Sequence, residues 1–412
     1  MLPTTQRLAR PTSASRSIAV VQHPGDPYIK ASLREFGETI FAEMSALAVR
    51  TGAINLGQGF PDTDGPAEVA EAAIQAIRDG HNQYPPGPGI APLRQAVSTH
   101  QQDWYDLAYD PDTEVLITAG ATEAIAASLL ALCEPGDEVV TFEPYYDSYA
   151  ASIAMTGATR RVVTLRPPDY GFDPDELRAA ITPKTRALLL NTPHNPTGKV
   201  FSADELQLIA DLCIEHDIVA ITDEVYEHLV FEGTHTPLTT LPGMRERTVM
   251  ISSAGKTYSF TGWKIGWVCA PPALLTAVRT AKQFLTYVNG APFQHAVVAA
   301  LGLPRSYYDD FLADMTAKRQ LLCDGLEAAG FEVFRPAGTY FVTTDIRPFG
   351  TDDGKAFCLG LPEACGVVAV PTVVFYDNED EGRHLVRFTF CKQPHVLEGA
   401  IERLKTLEVT NG

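Results

Sequence analysis

The sequence predicts an α/β fold: a three-layer large domain on a mostly parallel, mixed sheet, followed by a smaller α+β domain. Three observations lead there. Short runs that are apolar on both faces alternate with amphipathic helical stretches through the middle of the chain, the pattern of buried parallel strands and their crossover helices. The alternation stops near residue 305, where a long charged helical stretch precedes separated strands. The 412 residues, 45% of them hydrophobic, suffice for two cores.

Taken in order, strand 115–118 is followed by a helix at 122–133, and strand 138–142 by one at 149–155. Strand 187–190 leads to a helix at 202–216 that opens on Ser202 and Glu205, spaced as a capping box. Strands 218–222, 248–252 and 266–270 complete the large sheet. A helix at 307–330, strands at 340–346, 367–370 and 384–390, and a closing helix at 395–407 form the smaller unit. The expected division is a flexible leader, 1–30, an N-terminal segment, 31–60, that joins the small domain, a large domain, 61–305, and a small domain, 306–412.

Composition narrows the function. A net charge of −19 repels nucleic acid and anionic membrane, and no stretch approaches a membrane span. The seven cysteines are scattered, without a CxxC pair, and several lie in apolar runs; reduced thiols in a cytoplasmic protein fit better than disulfides. The ten histidines show no HExxH or HxH spacing, so no metal site is expected. Residues 1–25 hold three arginines and no acid, a composition shared by transit peptides and loose leaders, of which the second is preferred.

Ligands of open α/β sheets bind beyond the carboxyl ends of the strands, and the residues found there are polar. Strand 115–118 runs into Ala119-Gly120-Ala121-Thr122 at a helix start, and strand 187–190 into Asn191-Thr-Pro-His-Asn195-Pro196-Thr-Gly198. Strand 218–222 ends at Asp223, with Tyr226 three residues on, and strand 248–252 at Ser253-Ala-Gly-Lys256. Rival motifs fail on named residues. Ser253-x-x-Lys256 lacks the S-D-N and K-T-G partners of acyl-serine enzymes, and a phosphate loop ending at Gly255-Lys256-Thr257 needs glycine at position 250, which is Met.

The segment Ser253-Ala-Gly-Lys256-Thr-Tyr-Ser-Phe-Thr-Gly-Trp-Lys264 resembles the cofactor-lysine segment of class I/II aminotransferases, which have the fold type I of PLP-dependent transferases. Asn195-Pro-Thr-Gly198, Asp223-Glu-Val-Tyr226, Asn55-Leu-Gly-Gln-Gly59, Gln83-Tyr84-Pro and Val386-Arg387-Phe388 extend the match over roughly residues 35–408. The resemblance implies pyridoxal 5′-phosphate (PLP) as cofactor, carried by Lys256, whose amine then serves as general base and acid. It implies Asp223 at the pyridine nitrogen, Tyr226 and Asn195 at the ring hydroxyl, and Tyr145 stacked on the ring. Phosphate would be met by backbone N–H groups of Ala121 and Thr122, by Ser253 and by Lys264. Arg387 would pair with the substrate α-carboxylate as the backbone at Gly59 closes over it. Tyr84 and Tyr287 would reach into the neighbouring subunit of a homodimer.

Within the class the sequence is most similar to the branch of kynurenine/glutamine transaminases and actinobacterial N-succinyldiaminopimelate aminotransferases. Amino-group exchange between an amino acid and a 2-oxo acid follows, with glutamate/2-oxoglutarate as the general pair and N-succinyl-LL-2,6-diaminopimelate as the favoured partner. Lys282 or Arg78 are the nominated cations for its distal carboxylate. Kynurenine, glutamine, methionine or aromatic amino acids, and a specialised biosynthetic amine, are alternatives. Two rival classes are a PLP-dependent C–S lyase, which releases pyruvate without a 2-oxo acid, and a PLP-sensing regulator, which needs a DNA-binding domain before residue 35 and a basic surface.

Overall fold

The structure, a computed structural model, describes residues 26–409; the leader expected over 1–30 lies mostly outside the described residues. Thirteen strands form three sheets among these residues. They are β1 (Ile54–Asn55), β2 (Val115–Thr118), β3 (Glu138–Glu143), β4 (Thr159–Thr164), β5 (Thr185–Asn191), β6 (Val219–Asp223), β7 (Thr248–Ser253), β8 (Gly266–Cys269), β9 (Glu332–Phe334), β10 (Phe341–Asp345), β11 (Val367–Val368), β12 (Val370–Pro371) and β13 (Leu385–Thr389).

The large sheet has the order β2-β8-β7-β6-β5-β3-β4. Strand β8 runs antiparallel to both neighbours, and the remaining pairs are parallel. Alternate residues of one strand enter different cores, because successive side chains leave a strand on opposite faces. Leu189, Ile221, Val249 and Ile251 pack under the helices Gly120–Leu132 and Asp147–Thr156. Leu188, Leu190 and Ala220 pack on the other side under the helix Ala203–Glu215. Both faces are covered, as the doubly apolar runs require.

The edge strand β4 is absent from the expected set. Its residues Thr159, Arg160 and Arg161 are polar and at least partly exposed, so the segment carries no long apolar run, unlike the other edge strand, β2, which is buried throughout. The helix expected at 122 begins two residues earlier, at Gly120. The stretch 367–370 is two short strands in different sheets: β11 pairs in parallel with β1, whereas β12 joins the antiparallel sheet β12-β13-β10-β9. The pairing Ile54↔Val367 thus ties residues before the large sheet to residues after it. A third core holds Met44 and Leu47 of the N-terminal helix (Ile40–Thr51) with Val342, Phe388 and Leu397, and it includes Val225 and Tyr226 just beyond β6.

Candidate active site

Where these bodies meet, a cavity of about 360 Å³ opens beyond the carboxyl ends of β5, β6 and β7. Asp223 ends β6, in register with Asn191 of β5 and Ile251 of β7. Its carboxylate is almost fully buried and accepts a 2.5 Å hydrogen bond from the Tyr149 hydroxyl. Burial pushes its pKa up to about 6, against the lowering effect of that hydrogen bond and of the Lys256 charge. Strand β7 ends at Ser253 and turns into the short helix Ala254–Thr257, which carries Lys256. The Lys256 Nζ lies 5.6 Å from the centre of the Tyr226 ring and 5.7 Å from that of Tyr340. Burial lowers its pKa to about 8, with Asp223 opposing.

Arg387 sits on β13 between Thr343 of β10 and Val370 of β12. It is 1% exposed, and its guanidinium lies 4.0 Å from the centre of the Phe341 ring. One Nη donates to Asn195 Oδ1 at 3.0 Å and the other to Gly57 O at 2.8 Å, while its buried Nε has no partner. Burial lowers its pKa to about 10. Gly59 lines the same cavity; a β-carbon there would come within 2.3 Å of the Phe341 ring, so glycine alone lets the backbone pass this close.

Another part of the lining carries groups that would suit an anion. The helix Gly120–Leu132 starts without a side-chain cap, so its first N–H groups, at Ala121 and Thr122, lack the usual partner. Ser253 and Lys264 line the same end, and the Lys264 Nζ is 3.4 Å from Thr122 Oγ1. Gly266 lets β8 pack against the helix start: a β-carbon there would fall 2.7 Å from the Gly120 backbone. An uncapped helix start beside a lysine, a buried carboxylate that needs a cationic partner, and a lysine of lowered pKa match the phosphate, pyridine nitrogen and carbonyl carbon of PLP.

Of the predicted residues, Gly59, Ala121, Thr122, Asn195, Asp223, Tyr226, Ser253, Lys256, Lys264 and Arg387 share this cavity. Tyr145 does not, which corrects its expected stacking role. Its N–H donates to Phe375 O, its hydroxyl donates to Asp377 at 2.6 Å, and Arg160 covers its ring. The next residue, Tyr146, lines the cavity instead. Tyr84 and Tyr287 stand outside it, exposed, their ring centres 5.5 Å apart. Neither nominated cation reaches it: Arg78 is exposed at the end of the helix Ala67–Arg78, and Lys282 is buried with its ammonium on Tyr287 O and Gly87 O.

Several lining residues went unforeseen. Tyr149 follows Tyr146 by three positions, so one helix face carries both, a spacing visible in the sequence. Phe41, Phe60 and Phe341 arrive from distant segments, and no local signal marks them. Contrary to the histidine spacing, the fold also gathers His100, Glu227 and His228, with ligand atoms within 4.8 Å of one another. Those atoms are already engaged, His100 with His228 at 2.9 Å and Glu227 with Tyr105 and Ser252.

The sequence matches the family described as Aminotransferase class I and II over residues 51–404. The solved structure of N-succinyldiaminopimelate aminotransferase from Mycobacterium tuberculosis is similar at a TM-score of 0.91 and 53% identity, over 92% of this chain and 100% of that one. Methionine aminotransferase of Escherichia coli (strain K12) is 38% identical over 379 residues, 92% of this chain and 98% of its own. Kynurenine–oxoglutarate transaminase 3 of Homo sapiens is 37% identical over 401 residues, 90% of this chain and 88% of its own. The chain belongs to the class I and II aminotransferases, enzymes of fold type I that depend on PLP.

Proposed function

We propose that this aminotransferase exchanges the amino group of N-succinyl-LL-2,6-diaminopimelate with 2-oxoglutarate. The observation that carries the substrate choice is the 53% identity, over nearly the whole of both chains, to the mycobacterial enzyme named for it. In this reading Asp223 holds the pyridine nitrogen, Tyr226 and Asn195 the ring hydroxyl, and Tyr146 lies against the ring. Ala121, Thr122, Ser253 and Lys264 hold the phosphate. PLP, when bound, supplies an electron sink for the bond broken at the substrate Cα.

The protein's own residues do the rest. With a pKa near 8, Lys256 Nζ is partly neutral at pH 7.5, so it removes and returns the proton at the substrate Cα. Arg387, already dry and aligned, presents a planar donor pair to the α-carboxylate. Its bond to Asn195 couples the substrate and ring-hydroxyl sites. Gly59 and Phe60 close the cavity from the N-terminal side, and Phe41 and Phe341 exclude water.

Lys256, Lys264 and Arg387 are the cations lining the cavity among the described residues, and each has a task in this scheme. The distal carboxylate therefore calls for a donor from a second subunit. We read the protein as a cytoplasmic homodimer, in which Tyr84 and Tyr287 reach the neighbour's site. The exposed aromatics Tyr84, Phe284 and Tyr287 support the dimer, and the seven unpaired cysteines support a reducing compartment. We likewise read residues 31–60 with 306–412 as a small domain against the large one, 61–305; the β1–β11 pairing supports it.

Steady-state kinetics with 2-oxoglutarate and a panel of donors tests the substrate. N-succinyl-LL-2,6-diaminopimelate should give the highest kcat/KM, ahead of kynurenine, glutamine, methionine and phenylalanine. A higher value for any of those refutes the choice, and pyruvate release without a 2-oxo acid would point to lyase chemistry.

A further inference from the structure

We infer that Asn289 is a positioning residue for the cofactor phosphate, holding Lys264 and the start of the helix Gly120–Leu132 in register. The inference rests on the reading that this wall takes the phosphate. A side-chain amide has two donors and one acceptor, and here all three are used. The Asn289 Nδ2 donates to Thr118 O at 2.7 Å and to Lys264 O at 3.1 Å. Its Oδ1 accepts from Gln294 Nε2 at 2.7 Å, and Gln294 Oε1 accepts from Ile90 N at 2.9 Å.

The two carbonyls belong to the segments that flank the anion site. Thr118 ends β2 two residues before the helix begins. Lys264 adopts a left-handed backbone (φ +56°), and its side chain reaches back to Thr122. Across the sheet Thr118 pairs with Gly266, not with Lys264. A parallel link runs from the same loop. The Thr286 hydroxyl donates to Glu123 Oε1, while Glu123 Oε2 accepts from Ala119 N at the helix start. The buried Lys282 ammonium, on Tyr287 O at 2.6 Å and Gly87 O at 3.3 Å, secures the loop from behind. A lysine has three flexible donors and no preferred plane, so its aim depends on where its backbone is held. Asn289 supplies that hold without itself touching the anion site.

The test compares apoprotein binding of PLP with that of pyridoxal, which lacks the phosphate, by fluorescence titration. Wild type should favour PLP strongly, and Lys264→Ala should reduce that preference. Asn289→Ala should weaken PLP about tenfold, the scale of one well-placed polar contact, and leave pyridoxal binding as in wild type. If Asn289→Ala weakens both ligands equally, the residue is merely structural and the inference is overturned. If Lys264→Ala lowers the PLP preference while Asn289→Ala keeps the wild-type value, the inference fails and the phosphate reading stands. If Lys264→Ala leaves the preference intact, the phosphate reading itself fails. Should Asn289→Ala not fold, Asn289→Asp keeps the acceptor for Gln294 but removes the donors to Thr118 O and Lys264 O, and an unchanged preference there overturns the inference.

Discussion

Tyr149→Phe should shift the acid limb of PLP binding to higher pH. The hydroxyl lies 2.5 Å from Asp223 Oδ2, both groups are almost fully buried, and the bond favours the ionised carboxylate. A hydrogen bond to a charged group is worth about 1.5–3 kcal/mol. At 1.36 kcal/mol per pKa unit, its loss moves the Asp223 pKa from about 6 up by roughly 1–2 units. Wild-type apoprotein at pH 7.5 is then almost wholly ionised at Asp223, and the variant only about half so. Linkage has the matching sign. A carboxyl whose folded pKa exceeds its unfolded value contributes stability below the unfolded pKa and loses it as pH rises through the folded pKa. The variant therefore extends that loss above pH 6, while its stability near pH 4 matches wild type apart from a small packing change. The assay is the PLP dissociation constant of apoprotein between pH 5 and 9, wild type against variant, so that titration of the cofactor's own phosphate cancels. Superimposable profiles would refute the argument that Tyr149 controls Asp223.

Three further outcomes follow from the geometry. Tyr146→Ala should weaken PLP binding about tenfold or more, whereas Tyr145→Ala should lower the melting temperature and leave PLP affinity within about twofold; equal effects on PLP would undo the distinction between these neighbours. Lys256→Met should flatten the alkaline stability profile. The depressed lysine pKa of about 8 means that the unfolded chain binds the extra proton, so apoprotein gains stability as pH rises from 8 toward 10.5, by at most ~3 kcal/mol. Urea midpoints at pH 7.5 and 9.5 measure this, and a wild-type slope retained in Lys256→Met assigns it elsewhere. Arg387→Lys should raise KM for the amino donor about a hundredfold, because an ammonium cannot span Asn195, Gly57 and a carboxylate together; a KM within threefold of wild type would deny Arg387 its role.

Most of the fold could be read because its evidence is local. A strand covered on both faces is apolar at most positions, so β2, β3, β5, β6, β7 and β8 stand out as runs. Strand β4, whose first four residues are partly or fully exposed, shows no such run and escaped. The site was legible for a related reason: Asn195, Asp223, Ser253 and Lys256 lie at or within a few residues of the ends of buried strands, and parallel strands deliver their ends to one crevice.

The sequence by itself determined the class of chemistry through its resemblance to class I/II aminotransferases, and the expected parallel strands allowed a lysine, a carboxylate, an amide and a helix start to face one crevice. Tertiary structure alone decided how individual side chains point. Tyr145 and Tyr146 are indistinguishable as letters; what turns the first away is a hydrogen bond to Phe375 and another to Asp377, more than two hundred residues distant. Lys282 reads as a free cation until the carbonyls of Gly87 and Tyr287 are seen around it. Asn289 is unremarked in the sequence until Thr118 and Lys264 meet at its amide. Side-chain direction is set by backbone torsions and by partners that local periodicity does not encode, which is why the reaction was readable and the aim of these groups was not.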